Sequence, residues 1–278
     1  MIVKLLRIEL QRVFRNKATY VVFIIACSIS LLHVFHNVVP RVEAWNEMAL
    51  NLKSDMQYPY HLFGEWICGN SYNLEGFLYF MILPLLAVLP HSLSFCVDKE
   101  NGYIKQMYMR LDRGYYLAAK FGAVFLTGGL VVVLPLVLNL AVCAALLPAL
   151  KPQGLAGTFI NASVLWSGIY ESHPLLYVAI YLFIDFMLGG LIAGLPLFFS
   201  FFTEKKFIVL LMPFIMHIFI YSACMMTGFP NAVQYSPVYF TFASIGCPSG
   251  WLFVIYGVGY FLMGGLLYWI MGKREDIF

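Results

Sequence analysis

The 278-residue sequence predicts an all-α integral membrane protein with six transmembrane helices, an N-terminal amphipathic interfacial helix and both termini in the cytoplasm. Three observations carry this reading. Hydrophobic residues make up 62% of the chain and charged residues only 11%, about half the usual charged share of a soluble domain. Six stretches are apolar for about 20 residues, the length needed to cross the hydrocarbon layer. Lysine and arginine alternate between sparse and dense connecting segments. No long polar stretch offers a second domain, so 1–278 reads as a single transmembrane domain.

The chain opens on an amphipathic helix over 2–15, within an interfacial segment 1–17. At 100° per residue, Ile2, Val3, Leu6, Leu10, Val13 and Phe14 share one arc, with Lys4, Arg7, Gln11 and Arg15 opposite; Ile8 and Glu9 fit this division less well. Such a helix lies in the inner interface, as an anchor for the first span or as an elbow that passes on motion from a partner. The spans follow near 18–39, 76–97, 119–148, 174–202, 207–228 and 251–271. The third and fourth exceed one bilayer thickness, and Pro135 and Pro196 predict kinks in them. Ile24-Ile25-Ala26-Cys27 loosely resembles a lipoprotein cleavage box, but 18–39 reads as a retained span.

Orientation follows from the basic residues. Lys4, Arg7, Arg12, Arg15 and Lys17 precede span one, and Lys99, Lys105, Arg110, Arg113 and Lys120 lie between spans two and three. Lys205 and Lys206 separate spans four and five, and Lys273 and Arg274 follow span six. Only Arg41, Lys53 and Lys151 fall on the other side, so the rich side is cytoplasmic. The outer segments are acidic, with Glu43, Glu47, Asp55, Glu65, Glu75 and Glu171. In the first of them Trp45, Tyr58, Tyr60, Phe63, Trp66 and Tyr72 suit the headgroup layer, as an interfacial cap or as a vestibule. The uncharged, proline-broken segment 229–250, with Pro230, Pro237 and Pro248, predicts a re-entrant hairpin before the last span. The sequon Asn161-Ala162-Ser163 falls on the outer side.

The six cysteines (Cys27, Cys68, Cys96, Cys143, Cys224 and Cys247) show no CxxC spacing, and no metal site is expected. Cys68 and Cys247 lie in outer segments and could pair in an oxidising compartment; free thiols are the expected state.

The one substantial cytoplasmic loop runs Phe95-Cys96-Val97-Asp98-Lys99-Glu100-Asn101-Gly102-Tyr103-Ile104-Lys105-Gln106-Met107-Tyr108-Met109-Arg110-Leu111-Asp112-Arg113-Gly114-Tyr115-Tyr116. Gly102 divides an acidic first part from 103–111, a short helical stretch with exposed aromatics among charges. Such a helix suits docking on a protein or serves as a solvated connector.

This layout resembles the membrane subunit of ATP-binding-cassette exporters, the ABC-2-type permease family. That family carries a basic amphipathic N-terminal helix, six spans, a coupling helix between spans two and three, and often a hairpin before the last span. Asp98, Glu100, Gly102, Arg113 and Lys120 occupy the places of its inner-loop pattern, while Leu111-Asp112-Arg113-Gly114 departs from the Pro and Ser that often precede the Arg. The resemblance implies coupling to an ATPase through Asp98, Glu100, Gly102, Tyr103, Met107, Tyr108, Arg110 and Arg113. It implies a bacterial plasma-membrane half-transporter working with an ATP-binding-cassette ATPase subunit and a second permease copy or paralogue. Its cargo would be an amphipathic or hydrophobic peptide, antibiotic or lipid. The chain has no GxxxxGK[ST] phosphate loop, so it holds no cofactor of its own; ATP and Mg would bind the partner subunit.

Asp185 is the one acidic residue well inside a span, and His217 in span five is a conceivable partner. An intramembrane carboxyl points by default to function, here a substrate, proton or structural hydrogen-bonding role. Gly189, Gly190 and Gly194 in span four, and Gly257, Gly264 and Gly265 in span six, permit close helix packing. Two further readings remain: an ion-coupled secondary transporter using Asp185, and a non-transporting membrane scaffold. Enzyme motifs such as HExxH and GxSxG are absent, and topology accounts for the basic residues without nucleic acid.

Overall fold

The computed structural model describes residues 2–51, 60–70, 73–152, 160, 164–229, 231–245 and 247–274. Tyr58, Tyr72, Lys53, Asp55, Pro230 and the sequon lie outside the described residues. Among the described residues every regular element is helical and no strand occurs. Helix α1 (Ile2–Arg15) meets α2 (Lys17–His33) at Asn16. The Asn16 carboxamide accepts the Ala18 N–H at 3.1 Å, which caps α2, and donates to the Pro90 carbonyl at 2.8 Å. Helix α2 continues through a π turn at Val34–Val38 into α3 (Val39–Asn51).

The short α4 (Leu62–Glu65) precedes α5 (Leu74–Val88), which Asn73 caps at the Gly76 N–H. Then come α6 (Ser94–Glu100), α7 (Tyr103–Arg110), the 34-residue α8 (Arg113–Leu146), α9 (Ser167–Ser172), α10 (Pro174–Phe199) and α11 (Lys206–Met226). A 3₁₀ turn at Ala232–Tyr235 leads to α12 (Pro237–Phe240). Helix α13 (Trp251–Phe261) passes through a π turn at Leu262–Leu267 into α14 (Tyr268–Arg274).

Among the described residues, five continuous helices are long and apolar enough to cross a membrane: Lys17–Glu47, Arg113–Leu146, Pro174–Phe199, Lys206–Met226 and Trp251–Arg274. They make the chain a helical membrane protein. The stretch expected as span 76–97 differs. Its helix α5 has 15 residues, about 22 Å at 1.5 Å per residue, and stops before Pro90. The chain turns through 89–93 before α6 begins. Pro90 has no N–H for a continuing helix, and its carbonyl is taken by Asn16. By contrast α8 and α10 run on through Pro135 and Pro196.

Apolar side chains on α2 and the π turn after it, on α11 and on α13 are turned outward, among them Val21, Ile24, Phe35, Phe207, Phe219, Met226, Trp251 and Ile255. A bilayer rather than water suits such a belt. The core lies between α8, α10 and the last helices, where glycines let backbones touch. A Cβ on Gly264 would stand 2.8 Å from the Gly194 carbonyl carbon and 3.0 Å from the Leu195 nitrogen. These are backbone atoms that cannot swing aside. Gly264→Ala is therefore expected to cost about 1–3 kcal/mol and to lower the thermal midpoint in detergent. Gly259→Ala, with nothing within 4 Å of the added carbon, is the control and is expected to be neutral or mildly stabilising.

The segment 60–70 overturns an expectation. Phe63 and Trp66 were expected at the headgroup layer, yet both are core residues, 2% and 0% exposed. The polar side chain of Asn139, near the C-terminal end of the apolar α8, is the reason. Its oxygen accepts the Ile67 N–H at 2.9 Å and its nitrogen donates to the Ser30 carbonyl at 2.8 Å. Leu62 N–H donates to Pro148 O, and Ser244 donates to the Cys68 carbonyl from both N–H and hydroxyl at 3.1 Å. Buried non-helical backbone thus finds its partners inside the protein. Within 229–250, residues 236–244 are almost wholly buried, with Phe242 against Phe80 of α5 and Phe240 against Phe253 of α13, and the Tyr177 hydroxyl donates to the Ala243 carbonyl. All six cysteines are free, Cys68 and Cys247 included.

Candidate functional site: a buried ionic clamp

Helix α1 buries Leu5, Glu9 and Val13, a stripe at i, i+4 and i+8 that rests on α8, while Ile2, Val3, Ile8 and Phe14 stay exposed. Of the apolar arc, Ile2, Val3 and Phe14 therefore face away from the protein, Leu6 and Leu10 are half-buried and Val13 is buried. Glu9, one of the two residues that fit the division of faces less well, points inward and is 3% exposed.

It enters a cluster drawn from four elements. Lys120 of α8, 0% exposed, donates to Glu9 Oε2 at 2.7 Å and to Asp98 Oδ2 at 2.5 Å. Arg12 of α1 reaches Glu9 at 3.0 Å and engages both Asp98 oxygens through its two terminal nitrogens. His91 Nε2 lies 3.1 Å from Glu9, and the Tyr116 hydroxyl donates to Asp98 at 2.7 Å. Two carboxylates thus meet two fixed cations.

Burial works against the Glu9 carboxylate most strongly, but His91, Lys120 and Arg12 together outweigh it and hold its pKa at about 2. Asp98 is likewise below the usual carboxylate range, burial being outweighed by Arg12, Lys120 and Tyr116. Both acids stabilise the fold above their ordinary titration near pH 4, and the contribution is lost as pH falls through the depressed values. With every charge engaged, Lys120 is no free base or nucleophile. The chemistry of the cluster is mechanical: it fastens α1, α6 and α8 to one another.

The loop residues divide around this clamp. Gly102 has φ 68°, the left-handed conformation that ends α6 and starts α7. Tyr103 lies under the Arg12 guanidinium at 5.2 Å. The Tyr108 ring meets Tyr116 edge-on at 5.8 Å and carries the Arg113 guanidinium at 5.1 Å. Arg113 also donates to the Lys273 carbonyl at 3.1 Å. Glu100 pairs with Lys206 at 2.6 Å, near the surface.

The aromatic face expected to be exposed on 103–111 is therefore turned inward. Ile104 is buried, and Tyr103, Met107 and Tyr108 pack against the core. The outward face is Lys105, Gln106, Met109 and Arg110. In the Leu111-Asp112-Arg113-Gly114 turn, the Asp112 carboxylate accepts the Gly114 N–H at 2.7 Å and caps α8.

Sequence reasoning placed Asp98 and Lys120 in this region but missed Glu9, Arg12, His91 and Tyr116 as their partners. The available signal was Glu9 itself, an isolated acid in a basic helix and off its apolar arc.

Asp185 and His217 are both buried, but they are not partners. His217 Nε2 lies 3.2 Å from the Phe80 carbonyl, and neither Asp185 oxygen has a hydrogen-bond partner among the described residues.

At the acidic end, Glu65 is 1% exposed and bonded to Arg41, whose guanidinium also covers the Tyr60 ring at 5.5 Å. Burial outweighs Arg41 and raises the Glu65 carboxyl to about 7. A carboxyl raised on folding stabilises fully below about pH 4 and loses that contribution as pH rises through 7. Its contribution, read as wild type minus Glu65→Gln, is thus expected to decline between about pH 4.5 and 7 and then level off, a change on the order of 3 kcal/mol; buried His61, lowered to about 4 by desolvation, works the opposite way in the same window and cancels in that difference. A flat difference would assign the effect elsewhere. The depressed Glu9 and Asp98 titrate below this window.

Compared with known proteins, the chain matches no family model and no curated protein.

Proposed function

We propose that this chain is the permease subunit of an ATP-driven exporter of the ABC-2 type, partnered by a separate ATPase subunit. The observation that carries the reading is the ionic clamp. It ties a basic amphipathic helix, a short two-faced loop helix and a membrane-length helix into one body through Glu9, Asp98 and Lys120. A partner pushing on α7 would move α1 and α8 with it. The outward residues Lys105, Gln106, Met109 and Arg110 offer the charged and polarizable surface for that partner.

In this reading α5 and α6 together form the second of six crossings, and both termini are cytoplasmic. The segment 229–250 re-enters the membrane, shielded by 60–70. Two such subunits, or this one and a paralogue, pair around the cargo path. ATP-driven closure of the ATPases shifts the population between the arrangements of that pair. Cargo is an amphipathic or hydrophobic peptide, antibiotic or lipid.

The test is purification of the tagged chain in mild detergent after expression with its native genetic neighbours. A stoichiometric ATPase that is lost when Lys105, Met109 and Arg110 are changed is the expected result. A chain that purifies alone, under conditions that preserve a known complex, overturns the reading.

A further inference from the structure

Asp185 sits about 17 Å along α10 from its Pro174 end, deep within a membrane-length helix. Its relative exposure is 0%. Neither oxygen has a hydrogen-bond donor among the described residues.

The surrounding titratable groups supply no positive charge. Cys68 of the 60–70 segment, Tyr79 of α5 and Tyr181 of α10 are close enough to interact with it electrostatically, and all three are acids. His217 of α11 is turned to the Phe80 carbonyl, and Glu65 of α4 is held by Arg41. Glu171 of α9 is exposed, and neither α8 beyond Lys120 nor α13 carries a charged residue. An ionised carboxylate here would have no donor, no counter-cation and no access to solvent. A bound proton removes that charge.

Beside this position runs the 60–70 segment, whose Cys68 is near enough to interact with Asp185 and whose backbone beyond α4 is not helical. Ser244 holds its Cys68 carbonyl, Asn139 its Ile67 N–H, Asn73 its Ile67 carbonyl and Arg41 its Glu65, and its Leu62 N–H donates to the Pro148 carbonyl. We propose that Asp185 is a proton-binding site, loaded while the 60–70 segment covers it and exchanging with water when that segment lifts. On release the carboxyl O–H bond breaks, the electron pair stays on the carboxylate and the proton passes to water. Reloading is the reverse. The site stands independently of the exporter reading.

The experiment is infrared difference spectroscopy of the purified full chain, wild type against Asp185→Asn, at neutral pH. Labelling with [4-¹³C]aspartate assigns the same band without any substitution. The expected result is a protonated-carboxyl C=O band that is lost in the variant, moves on labelling and shifts to lower frequency in D₂O. Ser244→Ala, which removes one bond from the cover, is expected to hasten the D₂O shift several-fold. Carboxylate bands in place of the C=O band overturn the proposal. So does a C=O band that never shifts in D₂O, which would make the proton a permanent part of the fold. None of these readings needs an ATPase partner, so they stand or fall apart from the co-purification.

Discussion

Lys120→Met is expected to destabilise the protein by about 3–5 kcal/mol, the range for removing one partner from a buried charge cluster. Lys120 is 0% exposed and is the only buried cation shared by Glu9 and Asp98 among the described residues. Its removal leaves two buried carboxylates to one arginine whose side chain is 36% exposed. The methionine chain fills a similar volume, so the cost is electrostatic rather than a cavity. A second substitution isolates that cause. Glu9→Gln together with Lys120→Met leaves Arg12 facing Asp98 alone, one charge against one, and is expected to recover most of the loss. Such recovery is strong coupling between residues in contact. Thermal unfolding in detergent reads the global effect, and hydrogen exchange over 2–15 reads the release of α1. If Lys120→Met matches wild type in both, the clamp does not hold α1.

Much of the architecture is legible in the sequence because the bilayer imposes it. Apolar runs of span length foretell five of the six expected spans as membrane-length helices, 76–97 being the exception, and Gly102 foretells the break between α6 and α7. Gly194 of α10 and Gly264 of the last helices do meet, as their small size suggests. What escapes the sequence is side-chain pairing at long range. Glu9 and Lys120 are 111 positions apart, and no periodicity joins them. Whether Phe63 and Trp66 face lipid headgroups or core depends on Asn139, more than 70 positions away and a single polar side chain in an apolar helix. The face of α7 is equally ambiguous locally. In an eight-residue helix, the aromatic and the charged sides are both plausible contact surfaces until Tyr116 and Arg12 supply partners for the aromatics. No family model or curated relative supplies those contacts either.

That orientation of α7 dictates the second large effect, which is on function rather than stability. Reversing charge on its outward face, Lys105→Glu with Arg110→Glu, is expected to reduce ATP-driven transport at least about tenfold, equivalent to about 1.4 kcal/mol of coupling. The thermal midpoint should barely move, because exposed substitutions away from packed features usually fall within about 0.5 kcal/mol. Both residues are exposed, as is Met109 between them at 69%. Met107→Ala with Tyr108→Ala should behave in the opposite way. Those side chains pack inward, with Tyr108 edge-on to Tyr116, and Tyr116 holds Asp98. Their truncation opens space beside the clamp and is expected to destabilise the chain before it affects coupling. Measuring transport, ATPase activity and thermal midpoint on both double variants separates a docking surface from a packing surface. Lost transport with an unchanged midpoint in the charge-reversed protein assigns the partner to the outward face. Unchanged transport there removes α7 from the transmission path and leaves the clamp as an anchor for α1.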